Sequence, residues 1–239
     1  MFLLGRLGAM VVLAWGITLI AFILTHLVPI DPVAATLGPD GLNDPAIVKA
    51  FREHYGLDKP LPDQYALYLT ALVHGDLGES EQSHRPVLTD LEEYIPATAE
   101  LAVTSTILAS LFGIGLGMLG ARWHRKAVDH ILRVVSLTGM STPTFWLGLV
   151  CLYIFYFRLG WLPGSGRLDA NIDGPSHLTG LYTIDSLVAG QWGTFVNAIQ
   201  HLILPAFALA AYNIGLLTRL TRAAVLDVAR EDYIAFARR

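Results

Sequence analysis

Four long apolar stretches limit what this chain of 239 residues can fold into. A helix needs about 20 predominantly apolar residues to cross the hydrocarbon core of a bilayer. With 54% hydrophobic residues, only 15% charged residues and a mean hydropathy of +0.51, the chain is too apolar for a soluble domain of its size. The sequence therefore predicts an all-α fold, a polytopic transmembrane helical bundle. The four stretches cover residues 7–28, 99–121, 134–157 and 201–217.

Polar segments alternate with these stretches and divide the chain into eight parts. We expect the first transmembrane helix in residues 1–30, the second in 99–121, the third in 134–158 and the fourth in 200–218. The intervening parts are a cap-like loop, 31–98, a short connection, 122–133, a second loop, 159–199, and an amphipathic end, 219–239.

Charge placement predicts the orientation of these segments. Basic residues cluster at Arg6, in 122–133 and in 219–239, which share one side of the membrane if the spans alternate. The positive-inside rule makes that side the cytoplasm. We therefore expect a multi-pass protein with a cytoplasmic N-terminus, and the two acidic loops, 31–98 and 159–199, on the extracytoplasmic side.

The last segment is typical of an amphipathic helix that leaves a membrane. Its apolar residues recur at helical spacing, and a short separate helix is expected to begin near Glu231, because acidic residues precede its final turns and arginines close them. Lipid headgroups and a soluble partner are equal candidates to cover the apolar face. The residues on that face are Leu226, Ala229, Tyr233, Phe236 and Ala237.

Two further patterns concern the packing of the spans. Gly113, Gly117 and Gly120 share a spacing that lets another helix approach closely, so this face is expected to pack against protein. In the third span, Ser141-Thr142-Pro143 permits a kink, because neighbouring hydroxyls can satisfy a carbonyl that proline leaves free. Such a bend either lines a pathway or is purely structural.

Several functions are excluded or disfavoured by composition. The net charge of −4 leaves no basic surface for nucleic acid. Cys151 is the single cysteine, so no intrachain disulfide forms. His54, His74 and His84 lack the spacing of metal ligands, and no nucleotide-binding loop, zinc-protease motif or nucleophile elbow occurs. We expect no catalytic residue, no metal and no cofactor in this chain.

A series of short motifs along nearly the whole chain resembles one family. The sequence is similar to permease subunits of the dipeptide/oligopeptide/nickel class of bacterial ABC importers, with the dipeptide permeases as the nearest subgroup. Each motif is weak alone, but their shared order is specific. The motifs are Pro29-Ile30-Asp31-Pro32, Tyr55-Gly56-Leu57-Asp58, Gly75-Asp76-Leu77-Gly78, Pro96-Ala97-Thr98-Ala99-Glu100-Leu101, Pro143-Thr144-Phe145-Trp146, Gly160-Trp161-Leu162-Pro163, His201-Leu202-Ile203-Leu204-Pro205 and Glu231-Asp232-Tyr233-Ile234.

The resemblance implies a type I ABC importer permease fold in the inner membrane. It implies a homologous second permease, two cytoplasmic ATPase subunits that carry Mg-ATP, and an extracytoplasmic solute-binding protein as partners, besides the lipid bilayer. Residues 219–239 then hold an incomplete coupling helix that docks on an ATPase. The ATPase-coupling residues are expected to be Glu231, Asp232, Tyr233, Phe236, Ala237 and Arg238.

In the family, the glycine of the coupling motif and two further spans follow this point. The resemblance thus implies a fragment, an early stop or a partial gene model. Dipeptides or oligopeptides are the expected substrates, with nickel or glutathione as alternatives, and no substrate-binding residue can be named. Two rival classes are an intramembrane enzyme that uses Ser141 with His201, and an ATPase-independent secondary transporter. The second would need intramembrane charge pairs, and we expect none beyond His26 and His201 at the span edges.

Overall fold

A computed structural model describes residues 2–27, 43–80, 82–176, 178–229 and 231. Within these ranges the regular secondary structure is helical, and no β-strand occurs, apart from a single bridge between Glu79 and Pro86. The prediction of an all-α fold is confirmed. The chain divides into two compact units, Met1–Leu91 and Glu92–Arg239.

Among the described residues of the first unit, three helices lie wholly within it. Asp44 Oδ1 accepts a hydrogen bond from the Ala46 N–H at 2.9 Å, which caps the second helix as its Asp-Pro start predicts. The first and third helices are joined by polar and aromatic contacts. The Tyr65 hydroxyl lies 3.0 Å from Thr18 Oγ1, and the Tyr65 ring meets Phe22 edge-on at 5.2 Å between centroids. These helices are α1 (Phe2–Leu27), α2 (Pro45–Tyr55) and α3 (Leu61–Val73).

The second unit is built around the longest helix of the described chain, α8 (Trp192–Val228). Among the described residues of both units, three helices, one of which is α1, are long and apolar enough to cross a membrane, and a bent pair makes a fourth candidate span. A multi-pass membrane protein is therefore confirmed. The other helices are α4 (Val87–Arg122), which begins at the end of the first unit, α5 (Ala127–Ser141), α6 (Thr144–Cys151), its π-helical continuation Leu152–Arg158, and α7 (Tyr182–Val188).

The helices differ in length from the apolar stretches that indicate them. α4 begins at Val87 rather than at residue 99, because its polar first turns have good helix formers and an acidic residue, Asp90, near the helix N-terminus. α8 likewise extends past both edges of the expected span at 200–218. α7 ends at Val188, since Gly190 has a φ of 69° that breaks the helix.

The expected third span is two helices rather than one. α5 and the pair formed by α6 and its π-helical continuation meet at a bend of 106°. The break lies at Thr142 and Pro143, whose backbones are extended, with ψ of 126° and 129°. A proline restricts the preceding residue to extended conformations, so the helix ends here.

Glycines let three helices cross at short distance. A Cβ atom on Gly117 of α4 would lie 2.8 Å from the Thr218 carbonyl oxygen of α8. A Cβ atom on Gly215 of α8 would lie 2.6 Å from the Ser136 carbonyl oxygen of α5. Gly113, Gly117 and Gly120 are all buried, so the prediction that this face packs against protein is confirmed.

Candidate functional site

A buried ion-pair cluster joins the start of α5 to the end of α8. Asp129 is fully buried, and its carboxylate accepts hydrogen bonds from Arg222 Nε at 2.6 Å and Arg222 Nη2 at 2.9 Å. Arg133 Nη2 donates at 3.1 Å, and the backbone N–H of Arg125 at 3.0 Å. Arg222 also donates to His124 Nδ1 at 3.1 Å. We name these residues, Asp129, Arg222, Arg133, His124 and Arg125, the Asp129 cluster.

The Asp129 cluster connects α5 to α8 through hydrogen-bonded ion pairs. A buried carboxylate is tolerated only when several donors compensate it, and here two of them come from one arginine on another helix. From the Asp129 cluster, α5 continues to the 106° bend. α8 continues from Arg222 to Val228, in the direction of the expected coupling residues. The two helices are thus held together near the end of α8.

The bend contains the three residues predicted for it. Ser141 ends α5, Thr142 follows, and Pro143 precedes α6. The Thr142 hydroxyl donates to the Thr138 carbonyl at 2.7 Å, the kind of hydroxyl-to-carbonyl bond expected at such a break. A pathway role for these residues stays a prediction.

A second polar cluster lies at the opposite end of α8. Glu100 of α4 is 7% exposed, and its carboxylate accepts from Arg167 Nη2 at 2.9 Å and from the Thr183 N–H and hydroxyl at 2.7 and 2.6 Å. Arg167 also donates to the Gly180 carbonyl at 2.8 Å and stacks 3.5 Å from the Tyr182 ring centroid. This Glu100 cluster ties the loop around α7 to α4.

A cavity of about 210 Å³ adjoins Glu100 and Arg167 and reaches His201 on α8. His201 Nδ1 is 2.9 Å from the Asn197 carbonyl, and Nε2 is 3.6 Å from Asp169 Oδ1. Asn197 also donates to Asp169 Oδ2 at 2.6 Å. Both ring nitrogens of His201 therefore have structural partners, and no hydrogen bond joins His201 to Ser141. The geometry gives no support to the rival serine hydrolase.

Asp185 of α7 organises the loop that precedes it. Its buried carboxylate accepts from the N–H groups of Leu178, Thr179 and Gly180 and from the Thr179 hydroxyl at 2.7 Å. Burial by itself would raise the pKa of Asp185, but these hydrogen bonds outweigh burial and hold the pKa below its usual value. Asp185 in its charged form thus stabilises the loop.

We expect Asp185→Asn to destabilise this loop at neutral pH. Because the folded pKa of Asp185 is lowered, its contribution is present above the unfolded pKa of about 3.9 and is lost as the pH falls through the folded pKa. The difference in proteolysis rate between wild type and Asp185→Asn should be full at pH 7 and shrink below about pH 4. Asp173→Asn, at an exposed position before the same loop, is the matched control. A difference that grows toward low pH would contradict this account.

Most of the predicted ATPase-coupling residues lie outside the described residues. Glu231 is described and exposed, whereas Asp232, Tyr233, Phe236, Ala237 and Arg238 are not described. α8 is continuous from Trp192 to Val228, so residues 219–228 belong to the same helix as the fourth expected span. The short helix expected to begin near Glu231 lies outside the described residues, apart from Glu231 itself.

We expected no intramembrane charge pair beyond His26 and His201 at the span edges, and one ion pair of the described structure joins an acid of an expected span to a base of a loop. Glu100 lies inside the expected second span and pairs with Arg167, 67 residues later. One signal was available, because a lone acid in an apolar stretch requires a partner and Arg167 is the single arginine or lysine of the loop 159–199. The Asp129 cluster was also missed, although Asp129 is the one acid within a basic connection.

The fold and these clusters define a polytopic helical membrane protein whose polar groups fix helices to one another. The sequence matches the family "Binding-protein-dependent transport system inner membrane component" over residues 113–238, and that system's N-terminal membrane component over residues 1–102. The chain belongs to this family. It is a permease subunit of an ABC importer, a transporter component rather than an enzyme, and the family works with ATPase subunits and a binding protein.

Named relatives agree with this assignment. The chain is 47% identical to the probable D,D-dipeptide transport system permease of Escherichia coli, over 98% of this chain and 68% of that protein. It is 39% identical to the di/tripeptide transport system permease of Pseudomonas aeruginosa, over 99% of this chain and 70% of that protein. A glutathione transport system permease of Escherichia coli is 30% identical, over 99% of this chain and 67% of that protein.

Proposed function

We propose that this permease imports dipeptides and short oligopeptides. The observation that carries the proposal is the 47% identity to a probable D,D-dipeptide permease, sustained along 98% of the chain. Permeases named for dipeptides or di/tripeptides share 39% and 38% identity with it. The glutathione permease at 30% supports a peptide-like alternative, since glutathione is itself built of amino acids. Selection among peptides would fall mainly to the binding protein.

The proposed assembly pairs this chain with a homologous second permease. Two ATPase subunits bind Mg-ATP on the cytoplasmic side, where the N-terminus and the basic segments lie, and this chain holds no cofactor of its own. The solute-binding protein docks on the opposite side, at 31–98 and 159–199. The acidic content of these loops and the basic content of 122–133 and 219–239 support this orientation.

Coupling would proceed through α8. The residues Glu231, Asp232, Tyr233, Phe236, Ala237 and Arg238 dock on an ATPase, with Tyr233 and Phe236 as apolar anchors. ATP-driven closure of the ATPases then displaces the end of α8. Because Arg222 is bound to buried Asp129, the displacement is passed to α5 and so to the bend at Pro143. A shift of the permease between two conformations requires a contact with the ATPase that differs between them.

Uptake by the complete transport system tests the proposal. Vesicles that contain both permeases and the ATPases, with the cognate binding protein outside, are expected to accumulate labelled dipeptide only when ATP is inside. D-alanyl-D-alanine, L-dipeptides, glutathione and nickel are compared as competitors. Competition by nickel alone would contradict a peptide importer, and uptake driven by a proton gradient without ATPases would favour a secondary transporter.

The same vesicles test the coupling segment. Cysteines introduced at Tyr233 or Phe236 are expected to crosslink to the ATPase subunit, with little background because native Cys151 is buried at 4% exposure. A cysteine at Trp161, which is exposed in the opposite loop, is the control and should not crosslink to the ATPase. Capture of the ATPase at Trp161 but not at Tyr233 would reverse the proposed orientation.

A further inference from the structure

A groove between α5 and α8 has an apolar wall and a basic rim. Its volume is about 120 Å³. Leu132, Leu137 and Met140 of α5 form the apolar wall, and Leu137 is 58% exposed along it. The groove lies within the second unit and within helices that are candidate membrane spans. A lipid-exposed apolar groove in a membrane helix pair accommodates an acyl chain without any desolvation cost.

The rim carries more positive charge than the protein neutralises. Arg133, Arg219 and Arg222 line the groove, and buried Asp129 is the acid that pairs with two of them. Arg222 is held in two hydrogen bonds to Asp129, but the Arg133 side chain is 50% exposed and uses one nitrogen, Nη2, for the same carboxylate. Within the part of the chain that the structure describes, exposed Arg219 has no acidic partner. Two guanidinium groups therefore have N–H donors available at the rim.

A buried hydroxyl of the groove also lacks a partner. Thr218 lines the groove and is 3% exposed, and its Oγ1 makes no hydrogen bond to any described residue. Buried hydroxyls are normally satisfied, and a threonine within a helix usually donates to the carbonyl one turn earlier. An unpaired hydroxyl beside a cavity can donate to an acceptor that enters the cavity.

These features follow one another in order of depth. On α8, Arg222 and Arg219 lie closer to the helix end than Thr218 does. On α5, Arg133 lies seven residues before Met140. At 1.5 Å per residue, the distance from Arg133 to Met140 is about 10 Å along the helix axis. That order, with cations first, then the hydroxyl donor and then Leu137 and Met140 of the apolar wall, matches the order of phosphate, glycerol ester and acyl chain in a phospholipid.

We propose that this groove binds an anionic phospholipid, a site that goes beyond the proposed transport function. The phosphate accepts from Arg133 and Arg219, a glycerol ester oxygen accepts from the Thr218 hydroxyl, and the first part of an acyl chain lies on Leu137 and Met140. Charge selects the headgroup, because the excess of cations at the rim favours a lipid of net negative charge over a zwitterionic one. The site would hold lipid at the Asp129 cluster, where α5 and α8 are joined.

The experiment measures lipid preference on the purified complete transporter. Phosphatidylglycerol and phosphatidylcholine of the same chain length are titrated onto delipidated protein, and bound lipid is counted by native mass spectrometry. Wild type should prefer phosphatidylglycerol. In the double variant Arg133→Gln, Arg219→Gln, the ratio of bound phosphatidylglycerol to bound phosphatidylcholine should fall roughly tenfold. Thr218→Val should weaken both lipids while leaving the ratio between them unchanged.

The matched control removes two positive charges at the same end of the bundle. Arg122 and Lys126 are exposed and do not line the groove, so Arg122→Gln, Lys126→Gln should keep the wild-type preference. An equal loss in both double variants, or no loss in either, would overturn the site.

A photoreactive residue at Leu137 provides an independent experiment. Capture of lipid there supports the proposal, whereas capture of another transporter segment means that protein fills the groove and overturns it.

Discussion

Replacing Asp129 with asparagine is expected to abolish uptake and to destabilise the permease more than any other single change considered. The substitution leaves Arg222, whose side chain is 19% exposed, and Arg133 without the carboxylate that compensates them. Removing one partner of a buried ion pair costs about 3–5 kcal/mol, and the partial exposure of the arginines places this cluster toward the lower end. Thermal unfolding of the purified transporter and ATP-dependent uptake measure the two effects.

The control and the rescue separate charge from position. Asp227→Asn removes a carboxylate from the exposed end of α8, the helix that carries Arg222, and it should change stability by less than about 0.5 kcal/mol. The double variant Asp129→Leu, Arg222→Met removes both charges and should recover part of the stability, because no buried charge is left unpaired. If transport recovers as fully as stability does, Asp129 has no part in coupling beyond folding. An unchanged unfolding temperature in Asp129→Asn would contradict the claim that the Asp129 cluster stabilises the contact between α5 and α8.

Local patterns in the sequence were sufficient to predict the helices and one packing face. Apolar stretches identified the spans, since hydrophobic length is a local property. The Gly113 and Gly117 face was predicted because small residues at helical spacing allow close approach. The Asp44 cap and the break at Pro143 follow from backbone rules that involve a few neighbouring residues.

The polar clusters could not be obtained in that way. Arg222 reaches Asp129 across 93 residues of sequence, and Thr183 reaches Glu100 across 83 residues. Such pairs depend on how the helices cross, and helix periodicity contains no information about the partner. Helix ends were also misplaced, because a helix continues through polar turns that an apolar stretch does not include, as at Val87 and Val228. The coupling residues after Glu231 stay a prediction.

Gly117→Ala is expected to separate α4 from α8 and to reduce transport strongly. The added Cβ would lie 2.6 Å from Thr221 Cβ and 2.8 Å from the Thr218 carbonyl oxygen. The carbonyl belongs to a helix backbone and cannot move aside alone, so the whole crossing must widen. Overpacking of this kind costs about 1–3 kcal/mol. Unfolding of the purified protein and uptake in the complete system provide the measurements.

The same helix supplies a control of identical chemistry. Gly115 lies two residues earlier in α4, and a Cβ atom there meets nothing within 4 Å. Gly115→Ala should therefore be neutral or stabilising by up to about 1 kcal/mol, because alanine is the better helix former. The two alanine substitutions are predicted to change the free energy of unfolding in opposite directions, although the two positions differ only in the side of α4 that they face. Thr221→Gly in the Gly117→Ala background removes one of the two clashes and should restore part of the loss. Equal effects of Gly115→Ala and Gly117→Ala would show that the crossing of α4 and α8 does not depend on close approach at Gly117, and that helix propensity alone accounts for both.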